Sequence, residues 1–256
     1  MIRAAFFDVD GTLLSHRTKQ VPPSAREALD ALKAAGIRCV VSTGRMLREM
    51  YRLPIGDLTF DAYITMNGQL TLDGNQNPLY GMPLEGETKE FVLKLFREKK
   101  IPVILVEQER LYVNYECKRV TQVQADISSK VPPVGEYCGA EIYQACLYIS
   151  GEEERILDPI RDGCEITRWH PGGVDVIAKG GGKRTAVSRY LEENGFSAEE
   201  IIAFGDGEND MGMLQLAAIG VAMGNAEDTV KAIADYVTDD IDEDGLANAL
   251  KHFELI

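Results

Sequence analysis

Short apolar runs that stop at Asp, Gly or Ser recur through the first eighty residues. Ala4 to Val9 is one such run, ended by Asp10-Gly11, and it suits a buried strand. Ala28, Leu29, Leu32 and Ala35 then repeat at helical spacing. This predicts a helix over 25–35, capped by Ser24 with Glu27 at its third position and ended by Gly36. Ile37 to Val41 reads as a second buried strand, stopped by Ser42-Thr43-Gly44-Arg45, and Tyr63 to Met66 as a third, ending at Asn67-Gly68. Strand, helix and strand within about 40 residues form a βαβ unit, which requires a parallel sheet.

The rhythm changes in the middle of the chain. A helix over 87–99 precedes strands carrying Ile101–Val106, Leu111–Asn114, Ala145–Ser150 and Val174–Ala178, with Pro and Gly between them. Many strands with few helices predict an antiparallel sheet covered on one face, an α+β module. The α/β pattern returns with a helix over 183–193 closed by Asn194-Gly195. A strand follows at Ile201–Phe204, then a helix over 211–217, a strand at Gly220–Met223, and helices over 226–235 and 245–253. The predicted fold class is α/β: a Rossmann-like, parallel-sheet core over 1–81 and 183–256, interrupted by an inserted α+β domain over 82–182.

Size and composition agree with that division. The 256 residues exceed one average domain, and 45% hydrophobic with 27% charged residues is ordinary globular usage. A formal charge of −14 repels nucleic acid and anionic membrane surfaces, so neither is expected as a partner. A small anionic substrate remains compatible where local cations meet it. No stretch approaches 18 consecutive apolar residues, and the apolar run at the N-terminus is too short for a signal-peptide core, so a soluble, cytoplasmic protein is expected. The five cysteines contain no C-x-x-C pair and read as free thiols.

In open α/β sheets, sites form beyond the carboxyl ends of the strands. The residues there are Asp8 and Asp10, then Thr43, Gly44 and Arg45, then Asn67, then Asp206, Asn209 and Asp210, with Lys183 opening a helix of the same half. Crowded carboxylates repel unless a cation lies between them or one holds a proton. Carboxylates, a hydroxyl, an ammonium and flexible glycines together suit a hard divalent cation and a phosphate. A magnesium ion held by Asp8, Asp206 and the backbone carbonyl of Val9 or Asp10 would leave one carboxylate to attack phosphorus and another to manage a proton. Each element alone is a common turn or surface residue; their order, each after a predicted strand or at a helix start, makes them a constellation.

The same residues resemble the signatures of the haloacid dehalogenase-like hydrolases. Phe7-Asp8-Val9-Asp10-Gly11-Thr12-Leu13-Leu14 is similar to the first, D-x-D-G-T, and Val40-Val41-Ser42-Thr43-Gly44-Arg45 to the second. Lys183 in Lys179-Gly-Gly-Gly-Lys183 resembles the third, and Gly205-Asp206-Gly207-Glu208-Asn209-Asp210 the fourth. Gly220–Ala226 and Asp242–Gly245 are similar to trailing segments of the Cof-type branch. The resemblance implies a phosphatase with Asp8 as nucleophile and Asp10 as acid and base. It implies magnesium bound by Asp8, Asp206 and Asp10 (through its carbonyl), with Asp210 in or beside that shell. Phosphate contacts would come from the Val9 amide, Thr43, Gly44, Lys183 and Asn209. The insertion would be a C2-type cap that selects the substrate, a small phosphorylated metabolite such as a sugar phosphate or cofactor precursor. Arg45 and Asn67 are expected to support the site or touch substrate, and Glu116, Tyr143, Trp169, His170 and Asp175 are candidates within the cap. A phosphomutase of the same superfamily, or a phosphate-ester-binding regulator without turnover, are the alternatives. The oligomeric state is not legible in these residues.

Overall fold

The computed structural model describes residues 1–127 and 129–256. They divide into two compact units, one formed by Met1–Tyr80 with Gly182–Ile256 and the other by Gly81–Gly181.

In chain order the first part contains β1 (Ala4–Phe7), α1 (Pro23–Ala34), β2 (Arg38–Ser42), α2 (Leu47–Met50), β3 (Ala62–Thr65), β4 (Leu70–Asp73) and β5 (Pro78–Gly81). The middle part contains α3 (Gly86–Glu98), β6 (Val103–Val106), β7 (Leu111–Val113), α4 (Lys118–Asp126), β8 (Gln144–Leu147), β9 (Cys164–His170) and β10 (Gly173–Ala178). The last part contains α5 (Lys183–Asn194), β11 (Ile201–Gly205), α6 (Met211–Leu216), β12 (Ile219–Ala222), α7 (Asp228–Lys231), β13 (Tyr236–Val237) and α8 (Gly245–His252).

The larger unit is built on an eight-stranded sheet in the order β13-β12-β11-β1-β2-β3-β4-β5. The ladders from β13 through β3 are parallel, and β4 turns back antiparallel on β3. The chain builds outward from β1 through β2 and β3, then returns to β11 on the other side of β1. The strand order therefore reverses between β1 and β11, the point at which open α/β sheets form their crevice. Strand alternation buries Phe6, Val40, Ile64 and Ala203 in a cluster with Val187, Tyr190 and Leu191 of α5 and Met213 and Leu214 of α6. Phe7, Val41 and Phe204 are buried on the opposite face, where the Phe7 and Phe204 rings stack 5.3 Å apart.

Helix α1 buries Ala25, Ala28, Leu29 and Leu32, the stripe read from the sequence. It ends as expected, with Gly36 at φ +77° and amide bonds from Gly36 to Lys33 O and from Ile37 to Leu32 O. Its start differs. Pro22 is the cap and Pro23 the first helical residue, because a proline φ already fits the first turn. Ser24 lies inside the helix and donates its hydroxyl to Asp244. The helix expected over 226–235 shrinks to α7, because Asp235 ties both its amide and its carboxylate to Gly220 and delivers Tyr236 to the sheet edge.

The smaller unit is an antiparallel sheet in the order β7-β6-β8-β10-β9. Helix α3 and a 3-10 stretch (Glu154–Gly163) share one core with it, formed by Val92, Phe96, Val103, Leu105, Ala145, Leu147, Leu157, Val174 and Val176. It holds more structure than the few helices expected: α4 and β9 were both absent from the sequence reading. Strand β9 breaks apolar alternation at Arg168, whose guanidinium donates to the carbonyls of Ile149, His170 and Pro171 and to Glu154. His170 closes that strand and accepts the Gly172 amide on Nδ1.

Phe204 sits fully buried one residue before the loop that carries Asp206. Phe204→Ala should destabilise the chain by about 3–5 kcal/mol through lost burial and the cavity left behind. Urea unfolding measures this, and a loss under 1 kcal/mol would show that the sheet repacks around the gap.

Candidate functional site

The site forms where β1 and β11 end side by side. Phe7 pairs with Phe204, and the Asp8 amide donates to Phe204 O at 3.0 Å, so Asp8 leaves the sheet beside Gly205-Asp206. Beyond Asp8 the chain closes a tight loop in which the amides of Leu13 and Leu14 both donate to Val9 O, at 3.0 and 2.7 Å. That carbonyl is thus spent on the loop, which leaves the Asp10 carbonyl as the alternative raised above for a cation. Gly11 has φ +84°, and a Cβ there would lie 2.1 Å from Asp206 Oδ2, so this turn admits only glycine.

The carboxylates of Asp8, Asp206 and Asp210 lie within 4.8 Å of one another, the arrangement of a metal-holding group among the described residues. Lys183, at the first position of α5 and 1% exposed, answers them. Its Nζ donates to Asp8 Oδ1 and to Asp210 Oδ1, each at 2.5 Å. The other oxygen of Asp210 accepts the amides of Asp206 and Gly207 at 3.0 Å. Asp210 therefore folds the loop and fixes Lys183, whereas Asp206 accepts the Thr12 hydroxyl at 3.3 Å.

Charge compression appears in the proton affinities. Burial, then the Asp210 charge, pushes the Asp8 carboxyl up to about 7 against the opposing pull of Lys183. Burial, then Asp8 and Asp210, pushes Asp206 up to about 9. Burial disfavours charge on Lys183, but Asp210 and Asp8 outweigh it and hold its pKa above the ordinary lysine value. One ammonium is thus insufficient for three crowded carboxylates. Oxygen donors at this spacing fit a hard divalent cation.

Asp10 follows a different path. Its carboxylate accepts Arg45 Nε at 2.6 Å and Nη2 at 2.8 Å, so it is not one of the clustered trio. Thr43 is buried; its amide donates to Ile64 O, and its hydroxyl accepts the Arg45 amide at 3.1 Å. Asn67, in the left-handed region at φ +55°, donates its amide to Thr43 O. Its side-chain oxygen accepts Asn209 Nδ2 at 2.9 Å, and a Cβ on Gly44 would meet that oxygen at 3.1 Å. The structure thus links Thr43, Gly44, Asn67 and Asn209 on one side and Asp8, Lys183, Asp206 and Asp210 on the other. Sequence reasoning missed two supports. Thr12 was visible in the D-x-D-G-T run, and Asn225, which donates to Gly11 O and accepts the Ile241 amide, lay in the quoted Gly220–Ala226 segment.

In the smaller unit, Trp169 Nε1 donates to Asp175 Oδ1 at 2.8 Å, and the Trp169 ring meets Tyr148 edge-on. Tyr143 is buried with its hydroxyl on Glu141, His170 lies 3.4 Å from Asp126, and Glu116 is exposed.

The raised affinities of Asp8 and Asp206 set a stability slope in metal-free buffer. Between the ordinary carboxyl range near 4 and their folded values near 7 and 9, the folded chain binds more protons than the unfolded one. Stability from these groups is therefore full at low pH and falls as pH rises through 7 and 9. Melting temperatures in EDTA should decline across pH 5–9, and Asp206→Asn should remove the upper part of the decline. An unchanged slope in that variant would contradict the charge compression.

Comparison with known proteins places these residues in context. The family model for haloacid dehalogenase-like hydrolases matches residues 5–250. YkrA of Bacillus subtilis (strain 168), a phosphatase by provisional name, is 32% identical over 254 residues, covering 98% of this chain and 97% of its own. The 5-amino-6-(5-phospho-D-ribitylamino)uracil phosphatase YcsE of the same organism is 30% identical over 99% of this chain and 96% of its own. The structure of the phosphatase BT1666 from Bacteroides thetaiotaomicron superposes with a TM-score of 0.91 at 36% identity, covering 100% of this chain and 96% of that one. With all four sequence signatures meeting at the β1 and β11 ends and the match running nearly the whole length, the chain belongs to the haloacid dehalogenase-like hydrolases.

Proposed function

We propose that the protein is a magnesium-dependent phosphatase that hydrolyses phosphomonoesters of small metabolites through an aspartyl-phosphate on Asp8. The observation that carries this reading is the buried Asp8 carboxylate, held by Lys183 beside Asp206 and Asp210 and two residues from a second carboxylate, Asp10. In the first half-reaction an Asp8 oxygen bonds to phosphorus as the ester bond breaks, and the leaving oxygen takes a proton from Asp10. In the second, water bonds to phosphorus, the Asp8–phosphorus bond breaks, and Asp10 takes a proton from the water.

Asp8 and Asp206 would hold the cation, with the Asp10 carbonyl and Asp210 completing or flanking its shell. Magnesium, when bound, cancels carboxylate repulsion and draws charge from the phosphoryl oxygens. The Val9 amide, Thr43, Gly44 and Asn209 are proposed phosphate contacts. Lys183 spends two of its three donors on Asp8 and Asp210, and the third is assigned to a phosphate oxygen. The inserted unit is read as the cap module that chooses the ester.

A small phosphorylated metabolite is the proposed partner, a sugar phosphate or a phosphorylated cofactor precursor. Two similar proteins support that class by name: YcsE, and the sugar phosphatase BT4131, whose structure matches with a TM-score of 0.86 at 39% identity. No helix among the described residues is long and apolar enough to cross a membrane; a cytoplasmic setting is part of the proposal.

The purified protein should release phosphate from para-nitrophenyl phosphate with magnesium and stop in EDTA. Asp8→Asn should lower turnover by roughly 10³-fold or more. Near-normal turnover in that variant would remove Asp8 from the nucleophile's place.

A further inference from the structure

Arg45 was expected to support the site or touch substrate, and its geometry is more specific than that. The side chain presents its Nε–Nη2 edge to Asp10 and makes both bonds of a fork, at 2.6 and 2.8 Å. This is the edge with which a guanidinium takes an oxyanion bidentately. A phosphate could use it only by displacing two charge-assisted bonds.

Both ends of the fork are anchored. The Arg45 amide donates to Thr43 Oγ1, and its carbonyl accepts the Met66 amide at 3.0 Å. Asp10 is bridged to Leu14 and followed by Gly11, whose carbonyl accepts Asn225. The two side chains are only 20% and 29% exposed, so solvent screens the pair partially. A guanidinium held this way fixes the plane of the opposing carboxyl group. It also occupies one lone-pair site on each oxygen and leaves one on each for a proton in transit.

We infer that Arg45 is a positioning residue for Asp10: it holds the carboxyl in one orientation while Asp10 gives a proton to the leaving oxygen and later takes one from water, and it does not bind the phosphoryl group. This rests on the proposed role of Asp10 as acid and base. Proton transfer by a placed side chain contributes about 10²–10⁴-fold, and misplacement by about an ångström costs about 10²-fold.

The test separates esters by how much their leaving group needs a proton. 2,4-Dinitrophenolate leaves unaided, whereas a simple alkoxide does not. Arg45→Ala should lower kcat for an alkyl phosphate by about 10²-fold with KM changed little, yet retain the initial burst of dinitrophenolate from the aryl phosphate. Arg45→Lys should recover only part of the alkyl activity, since one ammonium cannot hold both oxygens of the carboxyl group. Asp10→Asn should show the same ester discrimination, and adding Arg45→Ala to it should cost little more, because the two act as one unit. A rise in KM shared equally by both esters, with kcat kept, would show Arg45 on the phosphate and overturn the assignment. Discrimination in Asp10→Asn but none in Arg45→Ala or Arg45→Lys would also overturn it while leaving Asp10 in place. Loss of the dinitrophenolate burst in Asp10→Asn as complete as its loss of alkyl turnover would instead remove Asp10 from its role, and the inference with it.

Discussion

Everything at the β1 and β11 ends depends on one charge imbalance. Four carboxylates, Asp8, Asp10, Asp206 and Asp210, stand near two cationic side chains, Lys183 and Arg45. Each cation is committed: Arg45 by a two-bond fork to Asp10, and Lys183 to Asp8 and Asp210 together. Two formal negative charges remain when all four carboxyl groups are ionised, and they sit where burial makes them expensive. A divalent cation cancels that charge. Without one, the site holds protons instead, as the raised affinities of Asp8 and Asp206 express. A divalent cation bound as proposed would therefore compete with protons for the same two carboxyl groups.

The sheet topology creates this crowding and also makes it bearable. The reversal of strand order between β1 and β11 brings residues about two hundred positions apart into register. The same parallel ladder supplies rigid backbone on which the loops are pinned. Gly11 lets the first loop pass against Asp206, Asn225 fastens that loop, and Asp210 ties the second by two amides. Repelling groups stay together because each is fixed by bonds that repulsion alone would have to break.

How much of this was legible varies with the kind of signal. Buried strands of the larger unit were legible because both faces are covered and the runs are continuously apolar. The motif residues were legible because they follow those runs directly. The start of α1 was misread because Ser24 looks like a cap, whereas Pro23 already satisfies the first turn. β9 was hidden by Arg168, an apolar position in the pattern occupied by a guanidinium that finds carbonyl partners inside the fold. α4 was hidden because only Val120, Val123 and Gln124 of its length are buried, too sparse a stripe to separate from a loop. β4 and β5 are four-residue strands, the first ended by an Asp73 carboxylate that accepts the amides of Asn75 and Asn77.

Asp8 and Asp10 show most plainly what periodicity cannot say. Two residues apart, they would share one face on an extended strand. The strand ends at Phe7, however, and the loop that follows turns on Val9 O and Gly11. Their carboxylates acquire different partners, an ammonium for one and a guanidinium fork for the other. In the proposed mechanism, that divergence lets adjacent acids of identical chemistry take opposite tasks. A nucleophile must stay unprotonated, which a neighbouring ammonium and a cation enforce. A proton carrier must exchange its proton while keeping its direction, which a fork that occupies only half of its lone pairs permits.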